Sequence, residues 1–379
     1  MIIIIGSGLA GYNLAKEIRK IDKNTPLTIV TKHKGRFYSK PQLSTALNYE
    51  RDIADLAVAS AEEMAKQLDA TVRTDVEVTK IDPDKHCIYI GEESLSYSKL
   101  VFACGAKPIR PPLLGDAVQD VLSVNDLEDY EIFRELLKAK QSIAILGAGL
   151  VGCEFANDLV NAGHKVDVIA LSTHPVERLL PEEISRLLEH ALADNGVRWH
   201  FEQLANSVNK HGDKYRIVLP QTHIDADLVM SAIGLKPNTK LAQEAGMIVN
   251  RGIVVNRFLQ TSAPDVYALG DCAEVNGLVL FYVSPLRKCA EALAKTLTGT
   301  ETKVTYPAMP VGLKTPACPI SICPPPQNIE GDWHTTGEGK NLKSLYLDED
   351  ENLYGFVLTG KMVVEKMKLV EQLPPIFKD

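Results

Sequence analysis

Ile2-Ile-Ile-Ile-Gly6-Ser-Gly8-Leu-Ala-Gly11 opens the chain, and Ser142-Ile-Ala-Ile-Leu-Gly147-Ala-Gly149-Leu-Val-Gly152 repeats its grammar in the middle. Each is a short apolar run followed by a turn with glycines in a GxGxxG pattern. A helical pattern comes next, through Lys20 in the first copy and Asn161 in the second. A second apolar run closes each unit, Leu27–Thr31 and Lys165–Ala170. Strand, glycine turn, helix and strand make a βαβ unit with a right-handed crossover. A lone GxGxxG says little; two, each between a strand pattern and a helix pattern, have the context the motif requires. The glycines permit a tight turn and close approach of the backbone to a pyrophosphate. The helix start adds free N–H groups and the positive end of the dipole. One such site placed twice implies two dinucleotides and an α/β fold with two Rossmann-like domains.

The wider composition agrees. A chain of 379 residues suits two or three domains. The net charge of −8 argues against generic nucleic-acid binding, while leaving room for a local basic patch that docks an acidic partner. Seven scattered cysteines make no disulfide framework, so a reducing cytoplasm is the expected setting. No basic leader precedes the first strand, and no uncharged apolar stretch is long enough to span a bilayer. The nine histidines show no ligand spacing, so no metal is expected.

Both copies lack the acidic residue that usually ends the second strand and holds the ribose hydroxyls. Thr31-Lys32-His33 stands there in the first, and Ala170-Leu-Ser172 in the second. The second copy also has no arginine pair at that place for a 2′-phosphate, so the reading leans to NADH over NADPH. Tyr97–Pro108, with Cys104-Gly105 at its turn, reads as a buried strand ending in small residues, and Ala226–Asn238, with Gly234, repeats that design. Arg110-Pro-Pro112 and Gly234–Asn238 read as the two crossings between domains. The division expected is 1–110 with 238–309, an inserted 111–237, and a small α+β unit of 310–379. In that last unit Pro316–Pro326, with its prolines, reads as a loop rather than a central strand. Leu342–Leu347 and Leu353–Thr359 read as strands around the turn Asp348–Asn352, with a helix from about Gly360 to Leu369.

Thr261–Cys272 ends in Gly270-Asp271. Together with the two glycine turns and the two small-residue turns, it resembles the pyridine nucleotide–disulfide oxidoreductase superfamily over most of the chain. That resemblance implies FAD in the first domain and a nicotinamide cofactor in the second. The aspartate would then accept from the ribityl hydroxyls, a role suited to a carboxylate. The cysteines narrow the choice. Arg36-Phe-Tyr-Ser39-Lys40-Pro41-Gln-Leu-Ser44 holds no redox cysteine, and Cys153 has no CxxC partner. Electrons would therefore leave the flavin without a thiol relay. Cys318 and Cys323 read as ordinary loop cysteines, since a metal site would need further ligands.

Within the superfamily the chain resembles the bacterial rubredoxin reductases. Arg36–Pro41, Asn125–Tyr130, Gly152–Leu159, Val249–Val254 and Lys314–Pro319 carry that likeness. It implies transfer of electrons from NADH through FAD to rubredoxin, a small iron protein, with an alkane hydroxylase as a common final user. Lys40 and Glu154 are the implied catalytic pair, meeting near the flavin and nicotinamide, the lysine stabilising reduced flavin. The implied cofactor-binding set is Gly6, Ser7, Gly8, Leu9, Ala10, Gly11, Thr31, Lys32, Lys40, Val78, Cys104, Gly105, Gly147, Gly149, Leu150, Val151, Gly152, Glu154, Gly234, Gly270, Asp271, Val283 and Lys314. Val78 would serve through its backbone, Lys314 from the C-terminal unit, and Val283 from the segment Tyr282–Pro285, where Pro285 suits the first position of a helix running to about Leu297. Arg287, Lys288, Lys361, Lys366 and Lys368 are candidates for a patch that meets an acidic carrier. Rival readings are a flavorubredoxin reductase of nitric oxide detoxification, an oxygenase-type ferredoxin reductase, or a slow flavin-binding protein like apoptosis-inducing factor.

Overall fold

The structure is a computed structural model and describes residues 1–377. Its first unit is built on a parallel sheet ordered Val266–Ala268, Lys99–Phe102, Ile2–Ile5, Leu27–Val30, Thr71–Arg73. The four isoleucines of the central strand are buried on both faces, as a strand between helical layers must be. Helices Leu9–Ile21 and Val283–Leu297 pack on each other against this sheet. The strand Val266–Ala268 arrives from far along the chain, so the first unit is completed only after the second has been made.

The inserted unit repeats the plan. Its parallel sheet runs Val197–His200, Lys165–Ile169, Ser142–Leu146, Leu228–Ser231. Each unit also carries a three-stranded antiparallel sheet, Lys80–Asp82 with Cys87–Ile90 and Glu93–Ser96 in one, Ser207–His211 with Lys214–Val218 and His223–Ala226 in the other. The two crossings between the units lie side by side: Ala106–Pro108 pairs antiparallel with Leu235–Pro237. Arg36 reaches Glu128 (3.2 Å) and Glu131 on the helix Leu127–Leu137 that begins the insert.

The C-terminal unit is a five-stranded antiparallel sheet ordered Val311–Leu313, Ile320–Cys323, Leu353–Thr359, Asn341–Leu347, Asp332–Glu338. This corrects the reading of Pro316–Pro326 as a loop. Ile320–Cys323 is proline-free, wholly buried and second in the sheet. The prolines flank it, where they cost no ladder hydrogen bond. The hairpin around Asp348 forms as expected, its carboxylate accepting from Asp350 N and Asn352 N. The expected terminal helix is a 3₁₀ turn, Gly360–Glu365, followed by a short α-helix, Lys366–Val370. The sheet does not stand apart. Leu313, Ile320, Ile322 and Val357 join Ile143, Ile145 and Phe155 of the insert, and Leu43 and Leu56 of the first unit, in one apolar core.

Candidate functional site

Both glycine turns have the same built-in reason for their residue types. Gly6 has a φ of 116° and Gly147 a φ of 107°, a region side chains avoid. A Cβ on Gly11 would strike the carbonyl oxygen of Gly6, and one on Gly152 that of Gly147. These glycines bring helix and strand together. Gly8 and Gly149 differ: a Cβ on either would meet nothing within 4 Å. They are the N-cap residues of helices Leu9–Ile21 and Leu150–Asn161. Neither helix has a side-chain cap or an acid in its first turn. Two open helix starts with free N–H groups result, each fit for an anionic group. Ser7 and Ala10 are buried beside the first, while Leu150 and the exposed Val151 begin the second helix.

Several of the other expected residues lie near the first turn or the crossings. Thr31 is buried at the end of its strand and accepts from His33 N through its hydroxyl (3.3 Å), while Lys32 is exposed. Val78 is buried, and Val76 N bonds to Thr31 O, which brings that segment beside the strand end. Cys104 and Gly105 are tied to the second crossing by Cys104 Sγ–Asn238 O (3.2 Å) and Asn238 N–Gly105 O (3.0 Å). Gly234 is joined to the first crossing by Ile109 N. Gly270 (φ 76°) packs on Ala10, and a Cβ there would lie 2.8 Å from Ala10 Cβ. Asp271 follows it, takes no hydrogen bond among the described residues, and its carboxyl is pushed up by burial and drawn down by Lys40. Val283 is the first residue of its helix, again without a side-chain cap. Pro285 is therefore the third helical residue and not the first as expected, because the helix begins two residues earlier, at Val283.

Lys40 and Glu154 are not partners. The Lys40 ammonium donates to Asn125 Oδ1 (2.6 Å), and Asn125 Nδ2 donates to Ala106 O (3.0 Å) at the crossing. Burial lowers the Lys40 pKa, with Asp271, Asp126 and Asp129 opposing. Glu154 instead takes Lys314: the Lys314 ammonium bonds to Oε2 and its backbone N donates to Oε1 (3.0 Å). Ser44 Oγ donates to the same Oε2 (2.5 Å) and accepts from Lys314 Nζ (3.2 Å). Glu154 is almost wholly buried. The expected meeting of Lys40 with Glu154 gives way because the C-terminal unit delivers a nearer ammonium.

One face of helix Leu150–Asn161 makes this junction, at positions 154, 157, 158 and 161, the spacing of one helical side. Asn157 Oδ1 accepts from Ala317 N (3.2 Å) of the C-terminal unit. Asp158 accepts from Leu47 N (3.1 Å) and Asn48 N (2.7 Å) of the first unit, and Asn161 donates to Asn48 (2.8 Å). Burial raises the Asp158 pKa to about 6 against these bonds. Reading the sequence missed Ser44, the role of Asn125 and this acid. The only signal was a helix with polar residues every third or fourth place inside an otherwise apolar pattern.

A carboxylate–ammonium–hydroxyl cluster thus lies where three units meet, on the helix that starts at the second glycine turn. No helix among the described residues is long and apolar enough to cross a membrane.

Comparison with known proteins matches these features. The profile described as pyridine nucleotide-disulphide oxidoreductase fits residues 1–295, and that described as rubredoxin binding C-terminal domain fits residues 303–373. A rubredoxin-NAD(+) reductase of Alcanivorax borkumensis is 48% identical over 99% of both chains. One of Acinetobacter baylyi is 42% identical over 99% of this chain and 98% of its own. The reductase in a solved covalent putidaredoxin reductase–putidaredoxin complex superposes with a TM-score of 0.88 at 24% identity, covering 98% of this chain and 93% of that one, which shows a shared fold. With both glycine turns, the duplicated sheets and the full-length likeness in hand, the chain belongs to the pyridine nucleotide-disulphide oxidoreductase family.

Proposed function

We propose that this protein is an NADH-dependent FAD enzyme that passes electrons to rubredoxin. The match of the rubredoxin-binding profile to the unit that supplies Lys314 carries the reading. The residues fit the cofactors: two uncapped helix starts, a glycine with open space at each, and a half-buried carboxylate, Asp271, that takes no hydrogen bond among the described residues. FAD, when bound, supplies the exchange between a two-electron donor and a one-electron acceptor.

The chain's own residues then have separate tasks. The N–H groups from Gly8 to Gly11 hold one pyrophosphate, with Gly6, Ser7, Leu9 and Ala10 shaping the turn. Thr31, Lys32 and the Val78 backbone stand at the adenosine end. Cys104, Gly105 and Gly270 let backbone come close, Asp271 accepts hydroxyls, and Val283 offers a helix N–H. Gly147, Gly149, Leu150, Val151 and Gly152 hold the NADH pyrophosphate, and Gly234 leaves room beside it. Lys40 keeps a cation at the flavin site, aimed by Asn125. Glu154 is oriented by Ser44 and Lys314.

The division 1–110 with 238–309, 111–237 and 310–379 is our assignment of the FAD, NADH and acceptor-binding units. The paired crossings Ala106–Pro108 and Leu235–Pro237 support it. We place the enzyme in the cytoplasm, since all seven cysteines are free. An alkane hydroxylase as the final user rests on family resemblance.

The test is anaerobic stopped-flow. NADH should bleach the bound flavin quickly, and oxidised rubredoxin should restore it quickly while ferredoxin does not. Fast bleaching with slow recovery by rubredoxin would send the search to another acceptor, flavorubredoxin first.

A further inference from the structure

The strand Lys165–Ile169 is the second strand of the NADH-binding βαβ unit. Its C-terminal end is where a carboxylate ordinarily meets the adenosine ribose. Ala170, Leu171 and Ser172 offer none. The turn that follows brings one back. Val176 N donates to Ala148 O (2.8 Å), which fastens this turn to the glycine turn itself. Val176 is buried with a φ of 53°, a rare conformation for a β-branched residue. Backbone held this way is a mark of a functional constraint.

The next residue is Glu177. Its Oε1 accepts from Thr173 Oγ1 (2.8 Å) and Thr173 N (3.4 Å), and His174 Nε2 lies 4.0 Å from it. The His174 ring is fixed from its other side by Ser185 Oγ (2.7 Å). Glu177 Oε2 takes no hydrogen bond among the described residues, and the side chain is 42% exposed. One oxygen is spent on holding the group in place, and the other is left to accept.

We propose that Glu177 is the residue that selects NADH against NADPH, its free oxygen accepting from the adenosine 2′-hydroxyl and its charge opposing a 2′-phosphate. This rests on the reading of the protein as an NADH-dependent enzyme. Two cations share the turn. Arg186 is engaged by Glu182 (3.2 Å), Glu189 (2.8 Å) and Thr173 O (3.1 Å). Arg178 is exposed and makes no ion pair among the described residues. Arg178 is thus the group a 2′-phosphate would find if Glu177 lost its charge.

The experiment uses the FAD-loaded enzyme and two readouts, kcat/KM for NADH and NADPH, and calorimetric binding of ADP and 2′,5′-ADP. Glu177→Gln keeps the acceptor for Thr173 and removes the charge. It should raise the NADPH-to-NADH ratio of kcat/KM about tenfold or more, mostly through KM. It should strengthen 2′,5′-ADP relative to ADP by a similar factor, and adding Arg178→Gln should reverse that gain. Glu177→Asp, which keeps the charge, should keep the preference for NADH. Ratios unchanged in Glu177→Gln by both readouts would overturn the proposal. So would a wild type that prefers NADPH and loses that preference in Arg178→Gln. A wild type whose flavin neither coenzyme reduces, but which discriminates ADP from 2′,5′-ADP through Glu177, would sink the reductase reading and keep this residue's role.

Discussion

Lys40 is half-buried, and its hydrogen-bond partner is a neutral amide, Asn125. An ammonium held by an amide keeps its full charge available to a neighbour, whereas one paired with a carboxylate is largely spent. Lys40→Ala should leave FAD content intact and slow flavin reduction by NADH about a hundredfold to a thousandfold, the range for losing one charge-stabilising group. Equal reduction rates in stopped-flow would remove Lys40 from the reaction. Asp271→Ala should act earlier, giving protein purified with less FAD, read from the ratio of flavin to protein absorbance. The glycines of the two turns were readable in advance because a tight strand-to-helix turn demands them at fixed spacing. Asn125 and Ser44 were not. They lie 85 residues from Lys40 and 110 from Glu154, and no local pattern announces a neutral side chain that finds its partner through the fold.

The helix Leu150–Asn161 is an element with two duties. Its start is the open, uncapped end at the second glycine turn, and its polar side closes the seam to both other units. Asp158 makes that seam sensitive to pH. Its folded pKa of about 6 lies above the ordinary carboxyl value near 3.9. The folded state therefore holds this proton more tightly than the unfolded state. Its contribution is largest at low pH and is lost as pH rises from about 4 to about 6, by up to about 3 kcal/mol. Asp158→Asn should flatten the dependence of melting temperature on pH within that window, checked by calorimetry at several pH values. A parallel profile for both proteins would show that this carboxyl titrates normally. Gly152→Ala should cost about 1–3 kcal/mol through its clash with the Gly147 carbonyl. The elements with strong period and turn chemistry were readable from sequence. The strand Ile320–Cys323 was not, because a strand buried on both faces shows no alternation, and its flanking prolines mimic a loop.

Across the whole molecule the apolar core joins what the backbone topology separates. Leu313, Ile320 and Val357 share it with Ile143 and Phe155, so the acceptor-side sheet is part of the insert's interior. A chain ending at residue 309 should expose that core and fail to accumulate as a folded flavoprotein, while the full chain should melt in one calorimetric transition. Two well-separated transitions would contradict this. The charge map bears on the partner at the same scale. Lys288 is engaged with Glu291 (3.0 Å) and Lys366 is half-buried, whereas Arg287, Lys361 and Lys368 are exposed. Changing these three to glutamine should lower rubredoxin-dependent turnover and flatten its dependence on salt, with NADH-to-ferricyanide activity kept. A fall in both activities would place the patch elsewhere.

The paired crossings have an evolutionary side. Pro108 and Leu235 face each other across one rung of a two-stranded ribbon, so everything between them leaves and re-enters the first unit at a single point. In genetic terms residues 109–234 form a cassette with adjacent ends. A chimaera that exchanges the whole cassette for that of a relative needs two junctions and no change in the path of the host chain. Because the cassette shares its core with Leu43 and Leu56 on one side and Leu313, Ile320 and Val357 on the other, such a graft must also bring a matching apolar face.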